Sequence, residues 1–92
     1  MYKIYTTKKY DKDFKRIISN PKLIAELEDV VDLLATNDVP LPKKYKDHQL
    51  KGNFSDFREC HIRPDWLLVY KKTKKDLILA LVRTGSHAHI FN

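Results

Sequence analysis

The chain has one cysteine, Cys60, two glycines, Gly52 and Gly85, and no apolar run longer than the six residues from Leu77 to Val82. A single thiol cannot close an internal disulfide, which excludes a disulfide-stapled scaffold. Its place in an alternating run makes it a small buried hydrophobe. Six apolar residues are far short of the ~18 that a membrane-spanning helix needs. Met1-Tyr2-Lys3-Ile4-Tyr5 has no apolar signal core, so the expected location is the reducing cytoplasm. CxxC pairs, HExxH and the glycine patterns of phosphate and dinucleotide loops are also missing, which removes the commonest zinc and nucleotide-binding enzymes.

What is present is positive charge and histidine. The net charge is +6 over 92 residues, enough for a single domain spanning 1–92 with one modest core. The charge is uneven: residues 1–20 and 40–92 are basic, while 21–39 are acidic. A basic surface with one acidic helix fits a nucleic-acid partner, the acidic stretch turned away from it.

The hydrophobic period divides the chain. Tyr2-Lys3-Ile4-Tyr5-Thr6 alternates as a strand, and the threonines after it can cap a helix. Tyr10, Phe14, Ile17 and Ile18 then form one helical face. Asn20-Pro21 reads as an N-cap followed by proline at the first helical position. The stripe Leu23, Leu27, Val30, Val31, Leu34 carries that second helix to Asn37-Asp38-Val39-Pro40. Pro40 to Lys46 is a surface connection with a basic, aromatic tip. Phe57–Ile62, Trp66–Tyr70 and Leu77–Val82 read as strands, with turns at Arg63-Pro64-Asp65 and Lys71–Asp76. The expected fold is therefore α+β, in the order β-α-α-β-β-β, with two helices on one face of a small, mainly antiparallel sheet and the other face partly open.

All four histidines fall in the second half, near both glycines. Histidine, with an ordinary pKa of roughly 6.5, can donate and accept protons near neutrality. RNA is cut without metal when one group takes the 2′-hydroxyl proton, another protonates the departing 5′-oxygen, and a cation steadies the phosphorane. His48, His61 and His87 are the candidate proton carriers, and Asp65 is a further base or a group that orients an imidazole. Arg83, at the end of the last strand, is the first candidate for the phosphorane contact, followed by Arg58 and Arg63. His61, Asp65 and His87 are expected to meet at one edge of the open face. Phe91 and Trp66 are candidates for stacking on bases, Phe91 before Trp66. A metal site is the chemical rival, built on His87-x-His89 with Cys60, His61 and His48, but no ligand spacing supports it and no metal or other cofactor is expected.

These blocks resemble the YafQ branch of the RelE/ParE-like toxins of bacterial toxin–antitoxin systems. The likeness runs from Tyr10-Asp11-Lys12-Asp13-Phe14 to Phe91. It is carried by Leu41-Pro42, Tyr45-Lys46-Asp47-His48, Leu50-x-Gly52, His61-x-x-Pro64-Asp65-Trp66 and Arg83-Thr84-Gly85-x-His87-Ala88-x-x-Phe91. The resemblance implies a RelE-like sheet with two helices, ribosome-dependent cleavage of mRNA in the A site without a metal cofactor, and neutralisation by a cognate antitoxin. It implies His48, His61, Asp65, His87 and Phe91 as the active set, with Trp66 and Arg83 in support. His89 matches no functional position, so it is expected to be incidental. Ribosomal RNA would attract the lysine-rich surfaces. Two rivals remain: a toxin of the same fold that inhibits a protein target such as gyrase, and a non-catalytic nucleic-acid-binding module.

Overall fold

Thr7 makes the first change of direction. A computed structural model describes residues 1–91, and in it strand β1 (Lys3–Thr6) gives way at Thr7 to helix α1 (Lys8–Lys15). The Thr7 hydroxyl oxygen accepts from the Tyr10 amide at 3.0 Å, satisfying one of the helix's free donors. α1 stops three residues before the apolar period does. The amides of Arg16 and Ile17 bond back three residues, to Asp13 and Phe14, and this tighter turn leaves Ile17 buried but swings Ile18 into solvent at 69% exposure. Asn20 caps α2 (Pro21–Thr36) by accepting from the Leu23 amide at 3.2 Å, with Pro21 in the first turn.

The remaining strands are β2 (His48–Gln49), β3 (Arg58–Arg63), β4 (Trp66–Thr73) and β5 (Ile78–Gly85), followed by a short helix α3 (His87–Phe91). The sheet order is β1-β5-β4-β3-β2, with β1 parallel to β5 and every other pair antiparallel. The chain's first strand thus lies beside its last. β2 and α3 were not legible as elements, and β4 and β5 each run three residues beyond Tyr70 and Val82. The turn between them narrows to Lys74–Leu77, closed by a hydrogen bond from the Leu77 amide N–H to the Lys74 carbonyl. Leu77 sits there in the left-handed region at φ 52, exposed, rather than opening a strand.

Alternation along the strands splits the apolar residues between two cores. Cys60, Leu68, Tyr70, Leu79 and Leu81 pack with Tyr10, Leu23, Leu27, Val30 and Leu34 under the helices. Leu67 and Val69 point the other way and are covered by Ile90 of α3, with Leu50, Phe57, Val82 and Phe91 around them. Part of the expected open face is therefore roofed, and the rest forms a groove beside α3. Among the described residues, no helix is long and apolar enough to cross a membrane.

Candidate active site

The residues opposite one another on β2, β3 and β4 share a face, and the register aligns His48 with Glu59 and Glu59 with Val69. That row brings a carboxylate to the imidazoles. Glu59 is 4% exposed. Its Oε2 lies 3.2 Å from His48 Nε2 and 3.7 Å from His61 Nε2, the latter two residues along the same strand and so on the same face. Its Oε1 is buried without a hydrogen-bond partner among the described residues. An unsatisfied buried acceptor is costly, typically ~1–3 kcal/mol, so this oxygen is a place where a donor would be bound strongly.

His48 is held from behind. Its Nδ1 donates to the Lys46 carbonyl at 2.8 Å, since a carbonyl can only accept, and Nε2 is left facing Glu59 and the groove. The loop itself is fastened by Asp47. Its carboxylate accepts from the Tyr70 hydroxyl at 2.6 Å and from Arg58 at 3.2 and 3.3 Å. Burial, with the Asp47 carboxylate beside it, pushes the Tyr70 phenol far up, so Tyr70 stays a neutral donor.

The facing wall is α3. His87 opens the helix, exposed, its ring 4.9 Å from that of Phe91, which meets Phe54 edge-on at 5.2 Å. His48, Leu50, Lys51, Phe54, Glu59, His87 and Phe91 line a groove of about 270 Å³. The groove can offer two imidazoles, a buried carboxylate, one ammonium and an aromatic platform to an anionic substrate.

Not every expected residue is there. Asp65 lies exposed in the β3–β4 turn and does not line the groove, because the hairpin continues past His61 and carries its tip away. Trp66 falls on the opposite parity from Leu67 and packs against the helix-side core, its indole N–H buried without a partner among the described residues. The three arginines considered for the phosphate are each engaged by a carboxylate: Arg58 by Asp47, Arg63 by Glu26 at 2.5 Å, and Arg83 by Asp13 at 2.7 Å. A register shift opposite Val69 and Tyr70 makes Val82–Arg83 a bulge, and the Arg83 fork is aimed at α1 instead of the groove.

That second cluster also holds His89, which is not incidental to the structure. Its Nδ1 accepts from Arg16 at 3.4 Å and its Nε2 donates to Asp13 Oδ1 at 3.2 Å, a set one neutral tautomer satisfies. Asp13 also receives the Thr84 amide at 3.1 Å. Its burial works against the charged form, but the bonds from Arg83, Thr84 and His89 outweigh it and hold the carboxyl below the usual range. The cluster pins α3 to α1 and β5.

His87 and His89, the expected ligand pair, do not converge: His89 contacts Asp13, and the ring of His87 lies against Phe91. Among the described residues no group of three or more His, Cys, Asp or Glu side chains is arranged to hold an ion. Cys60 is on the helix side of β3, where burial pushes its thiol far up, and His89 is turned to Asp13 and away from His87.

The fold thus brings imidazoles, a carboxylate and aromatics together in one groove, on a small sheet backed by two helices in a basic chain. The family of bacterial toxins of type II toxin–antitoxin systems typified by YafQ matches residues 2–92, and the chain belongs to it. The mRNA interferase toxin YafQ of Escherichia coli strain K12 is 43% identical over 82 residues, 89% of this chain and 87% of that protein. The E. coli DinJ–YafQ complex contains a chain that superposes with a TM-score of 0.87 at 37% identity, covering all of both chains. A metal-bound toxin from Helicobacter pylori superposes with a TM-score of 0.88 at 52% identity, covering 99% of this chain and all of that one.

Proposed function

We propose that this protein is an mRNA endoribonuclease that acts on ribosome-bound message and is held inactive by a cognate antitoxin. The observation that carries the reading is the buried Glu59 carboxylate between two imidazoles, facing His87 and Phe91 across one groove. A protein that only binds nucleic acid has no use for an underpartnered carboxylate beside proton carriers. The E. coli relative's name supplies the reaction class, and the groove supplies groups suited to it.

In this scheme a base of the message stacks on Phe91, and Lys51 faces the phosphate. His48 Nε2 takes the proton of the 2′-hydroxyl, and Glu59 stabilises the imidazolium that results. The 2′-oxygen bonds to phosphorus while the bond to the 5′-oxygen breaks. His87, entering protonated, gives its proton to that 5′-oxygen. The products are a 2′,3′-cyclic phosphate on the upstream fragment and a 5′-hydroxyl downstream. His61 steadies Glu59, and Arg83 acts through Asp13 on the placement of α3. Asp65 and Trp66 carry no proton. No step passes through a metal. The ribosome presents the message in the reactive geometry that a shallow groove cannot impose alone.

The E. coli relative is seen with the antitoxin DinJ, and the +6 charge here suits an acidic antitoxin that covers the groove. The deciding experiment adds purified protein to programmed ribosomes and maps message ends, beside naked message, with metal-stripped and with zinc- or copper-loaded protein. Cyclic phosphate ends on ribosomes from metal-stripped protein are expected. Cleavage only after metal loading would replace the proton-transfer scheme, and equal cutting of naked message would remove the ribosome. No cleavage in any arm would return the reading to a toxin that blocks a protein target.

A further inference from the structure

β2 pairs with only two residues of β3, Arg58 and Glu59, so from Cys60 to Arg63 this edge of β3 has no strand beside it among the described residues. The 3-10 turn Lys43–Tyr45 packs there instead, and with α2 it frames a cavity of about 410 Å³. The cavity adjoins the groove through two residues. His61 lines it and reaches to 3.7 Å from Glu59, and Lys46 lines it while its carbonyl orients His48.

Its chemistry is divided. Tyr45 is half-buried with the Lys44 ammonium 5.0 Å from its ring centroid, the position a stacked base takes. A base arriving there displaces Lys44 toward the phosphate that the base brings, beside Lys46. Glu26 is already neutralised by Arg63 Nε. Asp29, exposed at the rim of α2, is left to accept from base N–H groups. An acidic peptide, with charge along its length, would meet both carboxylates. A nucleotide brings its anion at one end and donors at the other. The volume falls in the range that takes such a ligand, roughly 300–1,000 Å³.

We propose that this cavity seats the nucleotide across the scissile phosphate from the one stacked on Phe91, so that the message wraps the edge of the sheet at His61. The proposal rests on the ribonuclease reading, and its test is chosen to separate the two. Nucleoside monophosphates are titrated into the intact protein while backbone amide shifts are followed. Shifts are expected at residues 44–46 and 61–63. In the ribosome assay, Tyr45→Leu, which keeps apolar bulk without a π face, is expected to raise the half-saturating toxin concentration about tenfold or more with a plateau rate within about twofold, and Tyr45→Phe to match the parent. Shifts confined to the Phe91 side, or Leu and Phe variants that behave alike, would overturn the second seat and leave the ribonuclease standing. Shifts at the cavity in a protein that cuts nothing would keep the seat as a nucleotide site and remove the proposed function. Displacement by an acidic antitoxin peptide, with no nucleotide shifts, would make the cavity a protein-docking site instead.

Discussion

Two carboxylates, Asp13 and Glu59, are buried to nearly the same degree, 3% and 4% exposed, and are treated in opposite ways. Asp13 receives a bidentate arginine, a backbone amide and an imidazole, so its two oxygens have four donors between them. Glu59 has one oxygen shared by two imidazoles and another with no partner among the described residues. A fully satisfied carboxylate is worth most as a joint between elements, and an undersatisfied one retains affinity for a proton or a donor brought from outside. Asp13 assembles the frame that carries His87, and Glu59 faces the groove.

The largest effect should come from the wall opposite Glu59. His87→Ala is expected to lower single-turnover cleavage on ribosomes by about 10²–10⁴, with thermal melting within a few degrees of the parent, since His87 is exposed and buries no core. Parent-like cleavage would take the tail out of the chemistry. The two carboxylates should then exchange profiles. Asp13→Asn leaves Arg83 without its counter-charge and is expected to cost about 3 kcal/mol in denaturant unfolding, with the rate per folded molecule lowered only several-fold through a looser α3. Glu59→Gln keeps the shape without the charge and is expected to lower the rate by about 10–100-fold with no loss of stability. If both variants lost stability alike, the contrast between joint and active group would fail.

Acid provides a smaller version of the same test. The folded-state pKa of Asp13 is depressed, so its contribution is present above the unfolded carboxylate pKa and is lost as pH falls through the lower folded value. Stability should decline on acidification below about pH 4, and Asp13→Asn should flatten that decline. An unchanged acid limb in the variant would assign the loss to other groups. The smallest effects are expected at the joint's rim. A Cβ on Gly85 would stand 3.1 Å from His89 Cδ2, so Gly85→Ala should cost about 1 kcal/mol and lower activity several-fold by tilting α3. His89→Ala should cost about 1 kcal/mol while keeping most of the activity. Cleavage lost as completely as in His87→Ala would mean that His89 meets the substrate.

Much of the frame was readable because it rests on local rules. Asn20-Pro21 announces its helix through a cap and a fixed φ, Thr7 caps another, and the apolar periods of α2 and of the strands state which side each buries. Cys60 reads as buried from its place in an alternating run, and it is. His48, His87 and Phe91 were singled out by residue type, by spacing and by family resemblance, and they do line one groove. Glu59 stands apart from the histidine blocks by residue type, and the sequence signal for it is its parity with His61 in an alternating strand: a carboxylate where a half-buried row continues.

The sequence by itself determined the order of the two long helices and the four longer strands, the basic charge and the histidine-bearing segments, because propensity, capping and period act within a few residues of chain, whereas the two-residue β2 and the five-residue α3 are too short to carry a period. Tertiary structure alone decided which of those segments meet. The parallel pairing of β1 with β5, the two-residue strand that sets His48 opposite Glu59, the bulge that sends Arg83 to Asp13 and the docking of α3 all join residues distant in the chain. Pairing register and the satisfaction of buried charges are properties of the assembled sheet, and a one-residue slip of a strand would move its side chains to the other face.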